Sequence, residues 1–373
     1  MPSRFLGSPG CDGSRQARDD AGAQVSLSPR RDAVRPDGLS ILFLGEVPGT
    51  EFADRAVLAE EVGLGAVWLS EEPFFRTALP VAALCAARTR RIRIGVGVVN
   101  PFDRPPVWLA MDIATLNEIA NGRLLVGVGA CWGPPIEQQG MVWERPLGSV
   151  RDTIAILRSL LRGEVCHYEG QRFAARGVRL DIDPLLGCPP IYTASMFPRS
   201  LQQSGEIADG VVISVLCPAP YVRGARELMA EGAARTERPG AEVSVSQYLP
   251  TSVANDGASA RDSIKPMLAF LLEHSFAPNP AHWEFVAQLG KFDLGEWHWI
   301  LGRLQGGLSP TAAVPDDFVR RFALAGTVQE CAETLAAYRH AGTTEVVSLL
   351  PRGVDVCTQI RALGQLQHLW SDL

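Results

Sequence analysis

The sequence predicts one α/β domain, a (β/α)8 TIM barrel carrying two insertions, and three observations support this. Eight short apolar runs of strand length recur along 373 residues. Helical patterns separate them, which implies a parallel sheet buried on both faces. The length also suits a barrel of about 250 residues with additions. A doubly wound open sheet shares the alternation and is the rival.

The elements follow in order. Residues 1–38 are rich in Arg, Asp, Ser, Gly and Pro with almost no apolar periodicity, and read as a disordered leader. A barrel domain is expected over 39–373. "LSILFLGE", starting at Leu39, is the first strand, and Pro48-Gly49 turn the chain. "TEFADRAVLAEEVG" is a helix with Thr50 as its cap and Gly63 at its end. Strands are expected at 66–70, 91–99, 123–129, 190–195, 210–215, 242–254 and 344–351. Helices fill the gaps, with one near 148–162 and a last one near 354–370. Residues 163–189 break the rhythm and read as a loop or hairpin insertion. Residues 275–316, rich in Trp, Phe, Gly and Pro, read as an irregular insertion.

Composition excludes several classes. The net charge of −6 gives no general attraction to nucleic acid or to anionic membranes. No apolar stretch approaches the roughly 20 residues of a membrane span, and no secretory signal is visible. The eight Cys include no C-x-x-C pair and no zinc spacing, so they read as reduced core residues of a cytoplasmic protein. No metal site is expected. The phosphate loop, the nucleophile elbow and H-E-x-x-H are all missing. Gly127 and Gly129 follow a strand, but Gly133 falls one residue late for G-x-G-x-x-G. These glycines read as a tight turn at a strand end.

The segment "GVGVVNPFDRPPVWLAMDIATLNEIANGRLLVGVGA" (95–130) strongly resembles the bacterial-luciferase-like superfamily of flavin and deazaflavin enzymes. "NPFDRPP" resembles its methylenetetrahydromethanopterin reductase-like branch, whose members use the deazaflavin coenzyme F-420. "PPIYTASMFPRSLQQSGEIADGVV" (189–212) resembles the family's fifth strand, phosphate loop and helix. "FALAGTVQECAETLAAYRHAGTTEVV" (322–347) resembles its last helix and strand.

The resemblance implies a set of site residues. Gly97 and Val98 fall where the family carries a non-prolyl cis peptide, so a bulge against the ring system is expected there. Asn100 and Asp103 follow at the barrel's C-terminal rim, where barrel active sites lie. Ala130 and Cys131, just past strand 4, are expected beside the cofactor. Ser195, Met196, Phe197, Arg199 and Ser200 form the expected phosphate loop. The family usually has a small residue and glycine where this chain has Met196 and Phe197. Phe197 is therefore expected to need an unusual backbone or to fill ligand space. Arg199 and Ser200 can hold a phosphate by charge and hydroxyl.

Strand 2 ends "WLSEEPFF". Glu71 is a candidate hydrogen-bond partner of the ring and Glu72 a candidate general acid, and both also read as solvated loop carboxylates. Deazaflavin sugar-phosphate dehydrogenases of the superfamily carry Asp-His after strand 2 and Glu after strand 4. Here the strand-4 position falls at Trp132, which argues against that substrate. His282, Trp283, Trp297, His298 and Trp299 either line a pocket or pack the insertion onto the barrel.

Three functions stand in competition. The first is hydride transfer between coenzyme F-420 and a small organic substrate. The second is a monooxygenase using reduced FMN and O2, supplied by a separate flavin reductase. The third is a non-catalytic relative that binds cofactor poorly. A homodimer is expected from the resemblance.

Overall fold

The computed structural model describes residues 37–45, 47–131, 133–236 and 242–370. Most of the expected leader, Cys11 and Trp132 lie outside the described residues. The strands are β1 (Gly38–Phe43), β2 (Ala66–Leu69), β3 (Arg93–Val99), β4 (Leu124–Val128), β5 (Cys166–Glu169), β6 (Ala174–Val178), β7 (Ile191–Ala194), β8 (Gly210–Ile213), β9 (Ser244–Val253), β10 (Leu324–Gly326) and β11 (Glu345–Leu349).

Eight of these close into a parallel barrel in the order β1-β2-β3-β4-β7-β8-β9-β11, with β11 paired back to β1. This is the expected (β/α)8 barrel. Closure also explains why most barrel strands read as apolar runs, since one face meets the interior and the other meets helices; β9, with Ser244, Ser246 and Gln247 buried, departs from this. β10 is an extra strand, paired in parallel with the far end of β9 from Leu324↔Thr251. β5 and β6 form an antiparallel hairpin, so the expected insertion at 163–189 is the hairpin alternative.

Two apolar layers result. The larger lies between the strands and the helices. The smaller fills the barrel with Leu42, Ala66, Trp68, Leu125, Tyr192, Val212 and Val347. Trp68 and Tyr192 meet edge to face at 5.5 Å and 75°. They fit because Gly95 and Gly210 face them; a Cβ on either glycine would run into the aromatic ring. The barrel is thus plugged within.

Two expectations need correction. Thr50 does not cap the first helix, Gly49–Glu61; Pro48 holds that position and no side-chain cap bond forms. The insertion is largely helical, not irregular. It contains helices Glu284–Gly290 and Leu294–Gln305, with single turns around them, and helix Asp316–Phe322 starts at its end. Gly and Pro bound each helix, yet Leu294, Trp297, Ile300, Leu301 and Leu304 do recur at helical spacing. These helices close around Trp297, which is fully buried, with Phe276, Phe292 and Phe322 rings 5.0, 5.1 and 5.4 Å away. Among the described residues, no helix is long and apolar enough to cross a membrane.

Candidate active site

β3 does not run straight into the rim. Its register against β4 shifts between Val96 and Val99, and the Gly97–Val98 peptide is cis. The bulge implied by the resemblance is therefore present. Val98 turns toward β4, where two glycines make room for its methyl groups. A Cβ on Gly127 would lie 2.8 Å from Val98 Cγ1, and one on Gly129 would lie 2.7 Å from Cγ2. Those glycines serve close packing: Gly127 lies within β4 and neither takes a positive φ, so the expected tight turn is not theirs, and the left-handed residue at the strand end is Cys131.

Asn100 follows the bulge and is 3% exposed. Its Oδ1 accepts the Phe102 N–H at 3.1 Å, while its Nδ2 has no partner among the described residues. Under the bulge sits Tyr248 of β9, whose hydroxyl is buried and also unpartnered. A Cβ on Gly97 would come 2.6 Å from that hydroxyl. Burial, then the charges of Glu345 and Glu72, push the Tyr248 phenol far up, so it remains a neutral donor. Buried donors without acceptors are uncommon and costly in a folded protein. Their presence at the rim fits a site that receives a polar, flat ligand.

The loop after β2 brings the two carboxylates to the rim. Glu71 Oε2 accepts the Ala78 N–H at 2.7 Å and so completes the first turn of helix Ala78–Arg88. Desolvation pushes the Glu71 carboxyl up against that bond and against Arg104. Glu71 thus has a structural task that the sequence did not reveal. Glu72 is exposed, and its Oε1 accepts the Ser70 hydroxyl at 2.7 Å.

Asp103 is also held up, mainly by desolvation, while Gln139 and Arg104 pull it down. Cys131 occupies a left-handed turn, with φ of 48°, at the end of β4. It reaches solvent, yet desolvation followed by the charges of Glu72, Asp103 and Glu71 pushes its thiol up to about 12. Cys131 is therefore a thiol at neutral pH and not a ready nucleophile. The Ala130 carbonyl accepts the Trp143 indole N–H at 3.0 Å, which fixes this loop.

The loop after β7 leads into helix Pro198–Ile207. The Ser195 hydroxyl faces that helix, bonding the Ser200 carbonyl at 3.2 Å and Ser204 Oγ at 2.8 Å. Met196 is half-buried, and its carbonyl accepts the Tyr221 hydroxyl at 2.6 Å. Phe197 needs no unusual backbone: at φ −119° and ψ 158° it is ordinary extended chain at the helix cap. Its ring is 39% exposed and lies 5.5 Å from the His282 ring.

The Ser200 hydroxyl is already engaged, accepting from Phe197 N–H and donating to Phe197 carbonyl. The expectation that it holds a phosphate therefore competes with its role as cap. Arg199 is exposed and makes no ion pair among the described residues. The first-turn amides of Arg199 and Ser200 have no acceptor within the helix by geometry.

The structure divides the aromatic insertion. Trp283 and Trp297 are buried, and the His298 ring meets Phe276 at 5.0 Å, so these pack the insertion. Trp299 is exposed beneath Arg303. His282 alone of the five meets a residue of the expected phosphate loop. Sequence reading missed Trp68 and Tyr248. Their only signal is a large aromatic at an inward-facing strand position opposite glycine.

Comparison with known proteins agrees with this geometry. The chain matches the luciferase-like monooxygenase family over residues 35–345. It is 29% identical over 334 residues to the 5,10-methylenetetrahydromethanopterin reductase of Archaeoglobus fulgidus, covering 87% of this chain and 97% of that one. Its fold superposes with a TM-score of 0.78 on the coenzyme F-420 dependent tetrahydromethanopterin reductase of Methanopyrus kandleri, at 24% identity and covering 89% and 98% of the two chains. The FMN-bound oxygenating constituent of 3,6-diketocamphane monooxygenase from Pseudomonas putida gives 0.70 at 16% identity, covering 91% and 99%. A bulged third strand, a polar C-terminal rim and a match across most of the barrel converge on one conclusion: the chain is an enzyme belonging to the luciferase-like monooxygenase family.

Proposed function

We propose that the protein transfers hydride between the deazaflavin coenzyme F-420 and a small organic substrate. The observation that carries this reading is the β3 bulge, with Asn100 Nδ2 buried and unpartnered directly behind it. A flat heterocycle lined with carbonyls suits such a donor. The near full-length similarity to an archaeal reductase supports the deazaflavin over other ring systems.

The residues present fit the group. Val98 would back the ring, Asn100 would donate to it, and Arg199 with the first-turn amides of its helix would hold the phosphate. When bound, a deazaflavin supplies two electrons as hydride. The protein orients the ring and excludes water. Glu72 is exposed, so the burial expected of a general acid is not met; its part in this reading is that of a rim carboxylate held by Ser70. Asp103, Glu71 and Glu72 gather near the Cys131 thiol, with Arg104 beside Glu71 and Asp103.

FMN-dependent oxygenation is the second reading, favoured by the fold shared with an FMN-bound monooxygenase constituent. Titrating the purified protein with each cofactor separates the two. Saturable binding of F-420 is the expected result. Tight FMN binding with no response to F-420 overturns the proposal. A homodimer belongs to the same reading and is checked by light scattering.

A further inference from the structure

Glu345 opens β11 and is fully buried inside the barrel. Its carboxylate accepts hydroxyl donors from Ser40 of β1 and Ser246 of β9, and the Trp68 indole N–H of β2 at 3.0 Å. Burial pushes this carboxyl up, while the three donors and Arg93 oppose the shift. The carboxylate answers three buried donors that an apolar side chain would leave without an acceptor, and it holds them in place at the cost of its own desolvation.

What the carboxylate does is fix an indole. Trp68 is fully buried, and Tyr192 braces it edge to face. On its other side lie Gly95 and Gly97, with no side chain between. A Cβ on Gly95 would run into the indole, and one on Gly97 would come 2.9 Å from Cε3. Any tilt of the indole thus passes straight into the backbone of the bulge. The bulge in turn sets Val98, which is seated against Gly127 and Gly129. Close-packed interiors transmit such shifts because no voids absorb them.

We infer that Glu345 is a positioning residue for the ring-binding bulge, acting through the Trp68 indole N–H. The inference rests on the reading in which the bulge backs the cofactor ring.

The test measures dissociation constants of F-420 and FMN, and the bound cofactor's visible spectrum, on the full chain and on four variants. Glu345→Leu removes the acceptor, and Trp68→Phe removes the donor while keeping an aromatic ring. Both are expected to weaken binding of the ring by about tenfold and to shift its spectrum, the scale of one charge-assisted hydrogen bond. Glu345→Gln keeps a carbonyl for the indole and is expected within about threefold of wild type by the same scale. Ser246→Ala removes the donor on Glu345 Oε2 and leaves Oε1, the acceptor of the Trp68 indole, in place, and is expected to bind as wild type. Melting curves confirm that each variant is folded, and Trp68→Phe with Glu345→Gln decide the matter if Glu345→Leu does not fold. Equal binding by all folded variants overturns the inference. So does a loss with Ser246→Ala as large as that with Trp68→Phe. A wild-type protein that binds neither cofactor overturns the hydride-transfer reading, and the positioning role with it.

Discussion

The Phe197 ring lies 5.5 Å from the His282 ring, so the loop after β7 leans on the helical insertion. Where the resemblance implied small residues, this loop makes a contact with the insertion. Phe197→Gly frees the backbone and breaks the contact. It is expected to weaken cofactor binding up to about threefold, since glycine at an extended position mainly adds entropy to the unliganded loop. Cofactor titration checks this. A variant that binds cofactor more tightly than the native chain would instead show the Phe197 ring filling ligand space.

Asn100→Ala removes the buried amide donor behind the bulge. The expected loss is about 1 kcal/mol of cofactor binding, roughly a fivefold rise in dissociation constant. Unchanged affinity in a folded Asn100→Ala variant would remove Asn100 from the site.

Trp297→Ala empties the centre of the helical insertion. For a buried Trp ringed by aromatics, the expected cost is about 3–5 kcal/mol. Chemical denaturation would show a lower midpoint. A midpoint equal to wild type would mean that the insertion does not unfold with the barrel.

Glu330 gives a pH signature. Its carboxylate accepts the Thr327 N–H at 2.8 Å, Arg261 at 2.9 Å and Arg320 at 3.3 Å. The Thr327 amide above all, then the two arginines, lower it from the ordinary 4.5 to about 2. A depressed carboxyl stabilises the fold above its unfolded value and loses that contribution as pH falls toward its folded value. Stability is therefore expected to drop between about pH 4.5 and 2 in the native protein. Glu330→Gln should flatten that stretch of the curve, measured as denaturation midpoint against pH. An unchanged slope would assign the acid sensitivity elsewhere.

Much of this was legible in the sequence, for physical reasons. The eight barrel strands were visible because burial on both faces leaves largely apolar runs, and "GVGVVNPFDRPP" marked the bulge. The helix bearing Trp297 was overlooked although Leu294, Trp297, Ile300, Leu301 and Leu304 recur at helical spacing, because the surrounding Gly, Pro and aromatic residues suggested an irregular loop. Glu71 looked like a free rim carboxylate because the bond to Ala78 N–H depends on where the loop folds back. Phe197 looked strained because its expected backbone was that of a glycine, whereas the chain runs extended there. Trp68, Tyr248 and Glu345 escaped notice because strand alternation marks which side chains point inward, not which of them meet.

The most direct test of hydride transfer at this rim is a crystal structure of the protein with coenzyme F-420 bound. The expected result places the ring against Val98, Asn100 Nδ2 within hydrogen-bond distance of a ring carbonyl, and the phosphate at Arg199. A ring bound away from the bulge, or FMN taking that position while F-420 is refused, would contradict it.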